Sequence, residues 1–490
     1  MGVIDMTMIL ALLPEILLVV LTGFVLVFDL VWRDPAAKRN LGWLTAGGAF
    51  LILAVSWLAA RPGTAPLEVW GGMLRHDWLA FTFKSIGLVG LGVTALLSMD
   101  APGLGKKGEY YLLLLTSTIG ICLMGASADM IMLFLAIETT SIPLYVLAGF
   151  MKTDDRSTEA GFKYLLFGAM TSSVMAYGFS LLFGFTGTTD LYELAQGLAS
   201  GELTEVGIVF SAMLVLVGFA FKISMVPFHF WAPDVYEGAP TPVAGFLSTA
   251  SKAAGFAVLI RFALAAFPAE PGLGGLDPII TILLAGACVA TMTLGNTIAL
   301  AQNNIKRLLA YSSIAHAGYV LLGVVAADVF GIASAVFYLL AYLLTNLAAF
   351  GVVMIVGRAV GSDEISAYAG LSRRSSGLAL VMLVAFLSLA GVPPLAGFIG
   401  KIWVFAAVVN QGMYVLAFIG VLNAIIGVYY YLIVLKFVYL YRSDDEDKPI
   451  RITRPDALAL GLLTFGIILV GTIFAPWWGI ADAAAAAIFG

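Results

Sequence analysis

The chain has 490 residues, of which 61% are hydrophobic and 11% are charged, with a net charge of −5 and a mean hydropathy of +1.01. Soluble domains carry about 25% charged residues, so this composition excludes a soluble multi-domain protein and predicts an all-α integral membrane protein. The two cysteines, Cys122 and Cys288, lie in apolar runs and are too few for an iron–sulfur cluster or a disulfide framework. Because no glycine-rich nucleotide loop follows a strand either, we expect no redox centre in this chain.

Apolar stretches of about twenty residues, each long enough to cross a bilayer, recur from end to end. The first follows the acidic sequence MGVID without the basic flank of a signal peptide, so we predict that it is retained. The seventh and twelfth are too long for one straight helix and contain prolines and a lysine, which predicts broken helices. The fourteen predicted spans are 8–31, 41–60, 78–99, 109–126, 129–150, 159–184, 205–236, 242–267, 276–299, 308–326, 329–357, 377–409, 412–440 and 455–475.

The 25 lysines and arginines are distributed unevenly between the two sides of the predicted membrane. Arg61, Arg75 and Arg261 fall in loops on one side, sixteen fall in loops on the other, and the remainder lie inside spans. Because basic residues concentrate in cytoplasmic loops, the sixteen predict the cytoplasmic face and place both termini on the non-cytoplasmic side. The sixteen are Arg33, Lys38, Arg39, Lys106, Lys107, Lys152, Arg156, Lys306, Arg307, Arg358, Arg373, Arg374, Arg442, Lys448, Arg451 and Arg454.

The two predicted broken spans are five spans apart, which predicts two five-helix units. Spans 4–8 would form the first unit, 109–267, and spans 9–13 the second, 276–441. Since five is odd, the second unit begins on the opposite side of the membrane, which is the inverted repeat common among transporters. Residues 1–100 are predicted to form an N-terminal three-helix segment, and 442–490 a C-terminal loop and last helix.

The stretch Gly218–Gly255 is apolar, yet it carries charged residues and four prolines. Pro227 opens the helix one turn after Lys222, and a lysine inside the membrane relieves its cost by pairing or by losing its proton. His229 follows Lys222 by two turns and shares its face if the helix resumes. Lys252 lies ten residues into the eighth span. The alternative for each lysine is snorkelling to the interface; we predict instead groups that change protonation, as a proton carrier requires.

One carboxylate, Glu138, lies well inside the fifth span, five residues before Pro143. A buried acid on one helix and Lys222 on another suggest an ion pair, which would hold the lysine charged until the acid is drawn away. The alternative is a salt bridge with a purely structural role.

The second unit offers a further set of candidates. His316 in the tenth span suits a proton relay because histidine titrates near pH ~6.5, and a satisfied core histidine is the alternative. In the twelfth span the sequence SLAGVPPLAGFIGK interrupts the helix and ends in Lys401. Lys163 can pair with Glu159 at i,i+4 spacing or act as a relay on the side where protons enter.

Three other charged residues have more ordinary interpretations. Glu15 follows Pro14 near the start of the first span, where an acid suits a helix N-terminus. Snorkelling explains Lys436, six residues from Arg442, and the same interpretation is open for Lys84. Three histidines on separate elements make a poor ligand set, so we expect no metal site.

Three segments identify the type of protein: FKISMVPFHFWAPDVYEGAPTPVAGFLSTASKAAGF, SLAGVPPLAGFIGK and ETTSIPLYVLAGF. They closely resemble the subunit N family of the proton-pumping NADH:quinone oxidoreductase, respiratory complex I, one of its three antiporter-like membrane subunits. The likeness extends over nearly the whole chain. Related subunits, and those of multisubunit cation/proton antiporters, usually show WLPxAHxEAPT where this chain has WAPDVYEGAPT.

The resemblance implies roles for specific positions. The family's central charged residues match Glu138, Lys222, Lys252 and Lys401. Its connecting or relay groups match Lys163, His229 and His316. It also implies that NADH, FMN, iron–sulfur clusters and quinone belong to other subunits. The implied partners are the other membrane subunits of complex I, including the neighbouring antiporter-like ones, and the lipid bilayer of a bacterial inner membrane, without nucleic acid.

The function we expect is proton translocation from the cytoplasm outward, driven by quinone reduction in other subunits. The proton would pass from Lys222 to Lys252 and on through His316 and Lys401. One alternative is a stand-alone monovalent cation/proton antiporter, against which the WAPDVYEG sequence argues. A second is a structural subunit needed for assembly, against which buried charges beside broken helices argue, since a scaffold gains nothing from them.

Overall fold

The computed structural model of the chain describes residues 5–200, 205–270, 274–443, 445–446 and 448–489. Most of the acidic N-terminal sequence and the last residue, on which the predicted positions of the termini partly depend, lie outside the described residues. The first eleven helices are α1 (Met6–Ala11), α2 (Leu13–Val31), α3 (Pro35–Lys38), α4 (Asn40–Ala59), α5 (Trp78–Ser98), α6 (Gly108–Ala126), α7 (Met130–Ala148), α8 (Asp155–Thr186), α9 (Leu194–Ser200), α10 (Glu205–Ile223) and α11 (Trp231–Gly238).

The remaining helices are α12 (Thr241–Phe246), α13 (Lys252–Ala266), α14 (Pro278–Ala299), α15 (Ile305–Ala326), α16 (Val329–Val360), α17 (Leu371–Arg374), α18 (Ser376–Ala390), α19 (Ala396–Asn410), α20 (Tyr414–Tyr439), α21 (Arg454–Thr472) and α22 (Ala475–Phe489). A π-helical turn, Leu247–Ser251, joins α12 to α13, and a 3₁₀ turn spans Ile365–Tyr368. Two antiparallel hairpins pair β1 (Leu67–Val69) with β2 (Leu74–His76) and β3 (Pro268–Glu270) with β4 (Gly274–Leu276).

The predicted all-α membrane architecture is confirmed. Within the described residues, thirteen helices are long and apolar enough to cross a membrane. The twelfth predicted span accounts for the difference from fourteen, because it consists of two shorter apolar helices, α18 and α19. The seventh predicted span is also divided, into α10 and α11. Both predicted interruptions are therefore present.

The interruption of the seventh span has a defined structure. Helix α10 ends at Ile223, Ser224 adopts a left-handed φ of 59°, and the chain returns to helix only at Trp231. The Trp231 indole N–H donates to the Phe221 carbonyl (3.1 Å), which the end of α10 leaves without its usual helical donor. The Trp231 ring also stacks on Tyr164, with centroids 4.5 Å apart. The break is thus held by aromatic packing and a hydrogen bond.

Contacts between loops define two faces of the helical bundle. We call the side with the sixteen basic residues the basic face and the other side the opposite face. On each face the contacts join loops that alternate along the chain, as spans crossing in alternate directions require. The contacts are Asn304–Glu364 and Arg358–Asp100 on the basic face, and Leu74–Ser127 and Asp129–Asp190 on the opposite face.

Arg261, which we placed in a loop, lies inside α13 and is only 1% exposed. Its guanidinium makes two hydrogen bonds to the Asp77 carboxylate (2.8 and 2.9 Å) and one to the Tyr192 hydroxyl (2.6 Å). A buried arginine needs a partner, and the sequence did not show this one. Asp77, which caps the N-terminus of α5, is distant from Arg261 in sequence, so the prediction was wrong. The opposite face therefore has even fewer basic loop residues than expected.

Helix α22 was not predicted. It follows the last predicted span directly and packs along α16 and α5. Its Trp478 ring meets Trp403 of α19, with centroids 4.1 Å apart. The alanine-rich sequence ADAAAAAIF has a high helix propensity, which was the available signal, but the helix is too short to be counted as a span.

Candidate functional site

Lys222 lies in the last turn of α10, immediately before the interruption, and is 4% exposed. Its Nζ donates to Ser141 Oγ on α7 (2.9 Å). Its aliphatic stem lies against Gly255 on α13, where a Cβ atom would stand 3.0 Å from Lys222 Cγ. Gly255 is three residues, about one helical turn, past Lys252. The glycine thus lets the Lys222 stem pass close to the helix that carries the next lysine.

Glu138 lies one turn before Ser141 on α7 and is half-buried. Its Oε1 accepts a hydrogen bond from Ser172 Oγ on α8 (2.5 Å). The direct ion pair predicted between Glu138 and Lys222 is not formed. Lys222 is hydrogen-bonded to Ser141 instead, and Glu138 to Ser172. The acid still lies on the same helix as the partner of Lys222.

Lys252 is the first residue of α13, directly after the π-helical turn, and is 2% exposed. Single π turns inside helices often mark functional sites. The Lys252 Nζ donates to both the hydroxyl (2.6 Å) and the carbonyl (3.1 Å) of Ser313 on α15. Lys252 is therefore linked to the second predicted unit, whereas Lys222 is linked to the first.

Lys401 lies in the second turn of α19 and is 5% exposed. Its Nζ donates to the carbonyls of Leu389 (2.7 Å) and Ala390 (3.0 Å), the last residues of α18. Gly391, with a φ of 86°, ends α18 in the left-handed conformation typical of helix ends. A Cβ atom on Gly391 would lie 2.8 Å from Lys401 Cδ. The lysine thus caps the negative end of the α18 dipole, across a glycine that leaves room for its stem.

His316 lies one turn after Ser313 on α15 and is 3% exposed. Its Nδ1 is 2.9 Å from the Tyr338 hydroxyl on α16, and its Nε2 is 3.0 Å from the Tyr431 hydroxyl on α20. The Tyr431 hydroxyl is also 2.5 Å from Ser312 Oγ. Both imidazole nitrogens therefore lie within hydrogen-bonding distance of a tyrosine hydroxyl.

The ring of Tyr319, also on α15, lies between His316 and Lys401. Its centroid is 5.6 Å from that of His316 and 5.1 Å from the Lys401 Nζ. Lys222, Lys252, His316 and Lys401 thus form a row of buried basic groups along the adjoining helices α10, α13, α15 and α19. Buried ionisable residues are rare within membranes, so this row is the candidate functional site.

A family model described as NADH:quinone oxidoreductase/Mrp antiporter, TM, matches residues 127–427, which include every member of this row. The NADH-quinone oxidoreductase subunit N of Heliobacterium modesticaldum is 40% identical over 485 residues, which cover 98% of this chain and 99% of that protein. The chain belongs to the NADH-quinone oxidoreductase subunit N family. The subunit N of Moorella thermoacetica is likewise 40% identical, over 90% of both chains.

Two solved structures have the same fold as this chain. A chain of respiratory complex I from Thermus thermophilus with bound aureothin is 31% identical, with a TM-score of 0.78, and the match covers 95% of this chain and 98% of that one. A chain of an archaeal membrane-bound sulfane sulfur reductase has a TM-score of 0.85 at 23% identity, which shows the shared fold alone. The protein is therefore an antiporter-like, multi-pass membrane-arm subunit of NADH-quinone oxidoreductase, respiratory complex I.

Lys163 is one of the relay candidates. It lies at the basic face, and its side chain is about one-third exposed. Its Nζ contacts Glu159 (2.7 Å), as the i,i+4 spacing predicted, and also Asp234 on α11 (2.6 Å). Arg307 on α15 contacts the same Asp234 and Glu237, each at 2.8 Å. The cluster joins α8, α11 and α15 at the surface and is separate from the buried row.

His229, the other relay candidate, does not share a face with Lys222. The helix does not resume after Pro227, so His229 lies in the irregular segment between α10 and α11, where it is half-buried. Its Nδ1 has no hydrogen-bond partner among the described residues. The condition for a shared face, that the helix resumes, is not met because the interruption spans the seven residues 224–230.

A further buried pair was missed. Lys84 is 3% exposed and does not snorkel; its Nζ contacts the Glu15 carboxylate (2.7 Å) and donates to the Ala11 carbonyl (2.7 Å). Ala11 ends α1, and α2 begins two residues later with Pro14 in its first turn. Glu15 therefore balances the charge of a lysine that occupies a break in the first span, and is not simply an acid at a helix N-terminus.

The sequence also failed to indicate the neutral partners of the buried row. These are hydroxyl-bearing residues on neighbouring helices, and serine and tyrosine are common in membrane helices for other reasons. Their only sequence signal was position, since Ser312 and Ser313 lie about one turn before His316. No group of three or more histidine, cysteine, aspartate and glutamate residues that could hold a metal occurs in the described part of the chain.

Proposed function

We propose that this subunit translocates protons from the cytoplasm outward through its buried row of charged groups. The proposed carriers are Glu138, Lys222, Lys252 and Lys401, with His316 as the relay between the last two. The observation that carries the proposal is that three lysines and a histidine lie buried on adjoining helices with neutral partners.

The neutral partners matter because a carrier must be stable in two protonation states. Ser141, Ser313 and the carbonyls at the end of α18 all accept hydrogen bonds from the lysines. Both a charged ammonium and a neutral amine keep N–H groups to donate. A direct carboxylate partner would instead favour the charged lysine strongly. The arrangement therefore suits groups that gain and lose protons.

Glu138 is placed to control the first lysine without a direct ion pair. It lies one turn from Ser141, which holds Lys222, and charges in an apolar interior act over several ångströms. Because Glu138 is half-buried on the outer side of α7 and α8, a change of charge in a neighbouring subunit could reach it. We propose that such a change alters the attraction between Glu138 and Lys222 and starts the transfer.

The energy would come from quinone reduction in other subunits, where we also place NADH, FMN, the iron–sulfur clusters and quinone. Moving one charge against 100 mV requires about 2.3 kcal/mol. We place the subunit in a bacterial inner membrane beside other antiporter-like subunits, with its basic face in the cytoplasm and both termini on the other side. Lys163 and His229 are proposed relays near the cytoplasmic end, supported by their partial exposure.

We further propose that residues 109–267 and 276–441 are two inverted five-helix units, preceded by the segment 1–100 and followed by 442–490. The support is that the two interrupted spans, α10–α11 and α18–α19, are five spans apart. Lys252 of the first unit is hydrogen-bonded to Ser313 of the second, so the proposed path crosses between the units.

The test uses the assembled complex reconstituted into liposomes. Lys222→Ala and Glu138→Ala should each lower the number of protons pumped per NADH, while Lys436→Ala, at an exposed position near the basic face, should not. Unchanged pumping in both variants would refute the proposal. If these variants assembled poorly but pumped normally per complex, the subunit would be a scaffold. Sodium- or potassium-dependent proton exchange by the purified chain alone would instead establish an independent antiporter.

A further inference from the structure

A continuous chain of hydrogen-bonding groups surrounds His316 in the buried row. Ser312 Oγ, the Tyr431 hydroxyl, the two nitrogens of His316 and the Tyr338 hydroxyl follow one another at 2.5, 3.0 and 2.9 Å. All four residues are buried, and they come from three helices, α15, α16 and α20. A buried histidine needs hydrogen-bond partners, and the two tyrosines alone would satisfy His316. The Ser312 hydroxyl is a further member of the chain that His316 does not need.

Each end of the chain adjoins a neighbour of a lysine of the proposed path. Ser312 is adjacent in sequence to Ser313, which accepts the Lys252 hydrogen bonds. At the other end, the Tyr338 ring packs on Gly400, where a Cβ atom would be 2.7 Å from Tyr338 Cδ2. Gly400 immediately precedes Lys401. The chain therefore extends from the residue next to the Lys252 partner to the helix that carries Lys401.

We propose that Tyr431 and Tyr338 are hydroxyl relays that carry the proton through His316 between Lys252 and Lys401. The inference rests on the proposed function, because it assigns residues to one step of that path. These two tyrosines differ from Tyr110 on α6, which is equally buried but whose hydroxyl is hydrogen-bonded to Ser98 (2.6 Å) outside the row.

The transfer balances without an ionised tyrosine. Each hydroxyl both donates and accepts, and a neutral imidazole has one nitrogen of each kind. When charged Lys252 releases a proton to Ser312, the Ser312 hydroxyl proton passes to Tyr431 and that of Tyr431 passes to His316 Nε2. The Nδ1 proton then passes to Tyr338, whose own hydroxyl proton passes to the neutral amine of Lys401. Every O–H and N–H bond broken is replaced, so the chain ends with its hydrogen bonds reversed and its charge unchanged.

The test compares Tyr431→Phe and Tyr338→Phe with Tyr110→Phe in the assembled complex in liposomes. All three remove one buried hydroxyl and keep the ring. Because positioned proton transfer typically contributes 10²–10⁴-fold, we expect the first two to slow NADH-driven pumping by about tenfold or more and the third to leave it near the parent level. Ser312→Ala, which shortens the chain at its end without changing an aromatic residue, should show the same loss even if a tyrosine variant fails to assemble.

A double variant separates a relay from a packing role. In a His316→Ala background, Tyr431→Phe should cause no further loss of pumping, because both act in one step. Normal pumping by Tyr431→Phe, Tyr338→Phe and Ser312→Ala, or equal loss in Tyr110→Phe, would overturn the inference. If Lys401→Ala still abolished pumping in that case, the proposed function would stand without these relays; if the lysine variant also pumped normally, the proposed function itself would fail.

Discussion

Lys222 and Lys401 both lie on the helix that connects their interruption to the opposite face, although Lys222 precedes and Lys401 follows its interruption. Lys222 ends α10, which runs from the opposite face to the first break, and Lys401 begins α19, which runs from the second break back to the opposite face. In an exact inverted repeat one of the two lysines would instead lie between its interruption and the basic face. Both breaks therefore separate their lysine from the basic face, where protons are proposed to enter.

Replacing Lys401 should distinguish its structural and transport roles. Lys401→Ala leaves the Leu389 and Ala390 carbonyls without their side-chain donor, which costs about 1–3 kcal/mol for a buried polar group. Lys401→Arg keeps donors at the end of α18 but remains charged under all working conditions. We expect the alanine variant to lose both thermal stability and pumping, and the arginine variant to keep more stability while losing pumping. Pumping at the parent rate by Lys401→Arg would show that Lys401 does not change protonation.

We expect Ser141 to affect the rate of pumping through its hydrogen bond to Lys222. Ser141→Ala removes the acceptor of the Lys222 hydrogen bond, and a hydrogen bond to a charged group contributes about 1.5–3 kcal/mol. We expect about tenfold slower NADH-driven pumping at normal assembly, measured in liposomes. Ser173→Ala is the matched control, because the exposed Ser173 hydroxyl only donates to Ala169 of its own helix. Equal rates in the two variants would contradict the role of Ser141.

The buried pair Glu15–Lys84 should affect stability and not transport. Glu15→Gln leaves the Lys84 charge buried without an anionic partner, which costs about 3–5 kcal/mol. The double change Glu15→Leu with Lys84→Met removes both charges and should be milder. The measurement is the melting temperature and the yield of the assembled complex, with exposed Glu109→Gln as control. A loss of pumping per complex in the double variant at normal yield would show instead that this pair carries protons.

Asp100 should contribute a pH-dependent increment of stability. It lies in the loop between α5 and α6, where the hydrogen bond from Arg39 (2.7 Å) holds the pKa of the Asp100 carboxyl below its ordinary value. A carboxyl with a lowered pKa in the folded state contributes stability that is complete above its unfolded pKa of about 3.9 and is lost as pH falls through the folded pKa.

We therefore expect Asp100→Asn to lower the melting temperature of the detergent-solubilised complex slightly at pH 5–7, by an amount corresponding to about 1 kcal/mol or less for such a partly exposed pair. The difference from the parent should shrink below pH ~4. Exposed Glu68→Gln should show no comparable difference. A destabilisation by Asp100→Asn that grew on acidification would be opposite in sign and would exclude this explanation.

Hydropathy and the distribution of basic residues were sufficient to place the spans, because each depends only on local composition. Both interrupted helices were predicted for the same reason: proline removes a helical hydrogen bond wherever it stands. The extent of an interruption was not predictable, as His229 shows. Packing of Trp231 on Tyr164 and its hydrogen bond to Phe221 fix where α11 begins, and Tyr164 belongs to a different helix, α8.

The sequence did not show that Arg261 and Lys84 are buried, but by itself it determined the membrane fold, the family and the basic residues of the buried row. Only the tertiary structure decided their partners: Ser141 and not Glu138 for Lys222, Ser313 for Lys252, and two tyrosines for His316. The physical reason is that helices in a membrane associate through close packing and hydrogen bonds between side chains, without a hydrophobic pattern that marks which faces meet. A buried lysine shows in the sequence that it needs a partner, whereas the rotation and depth of neighbouring helices decide which residue it is.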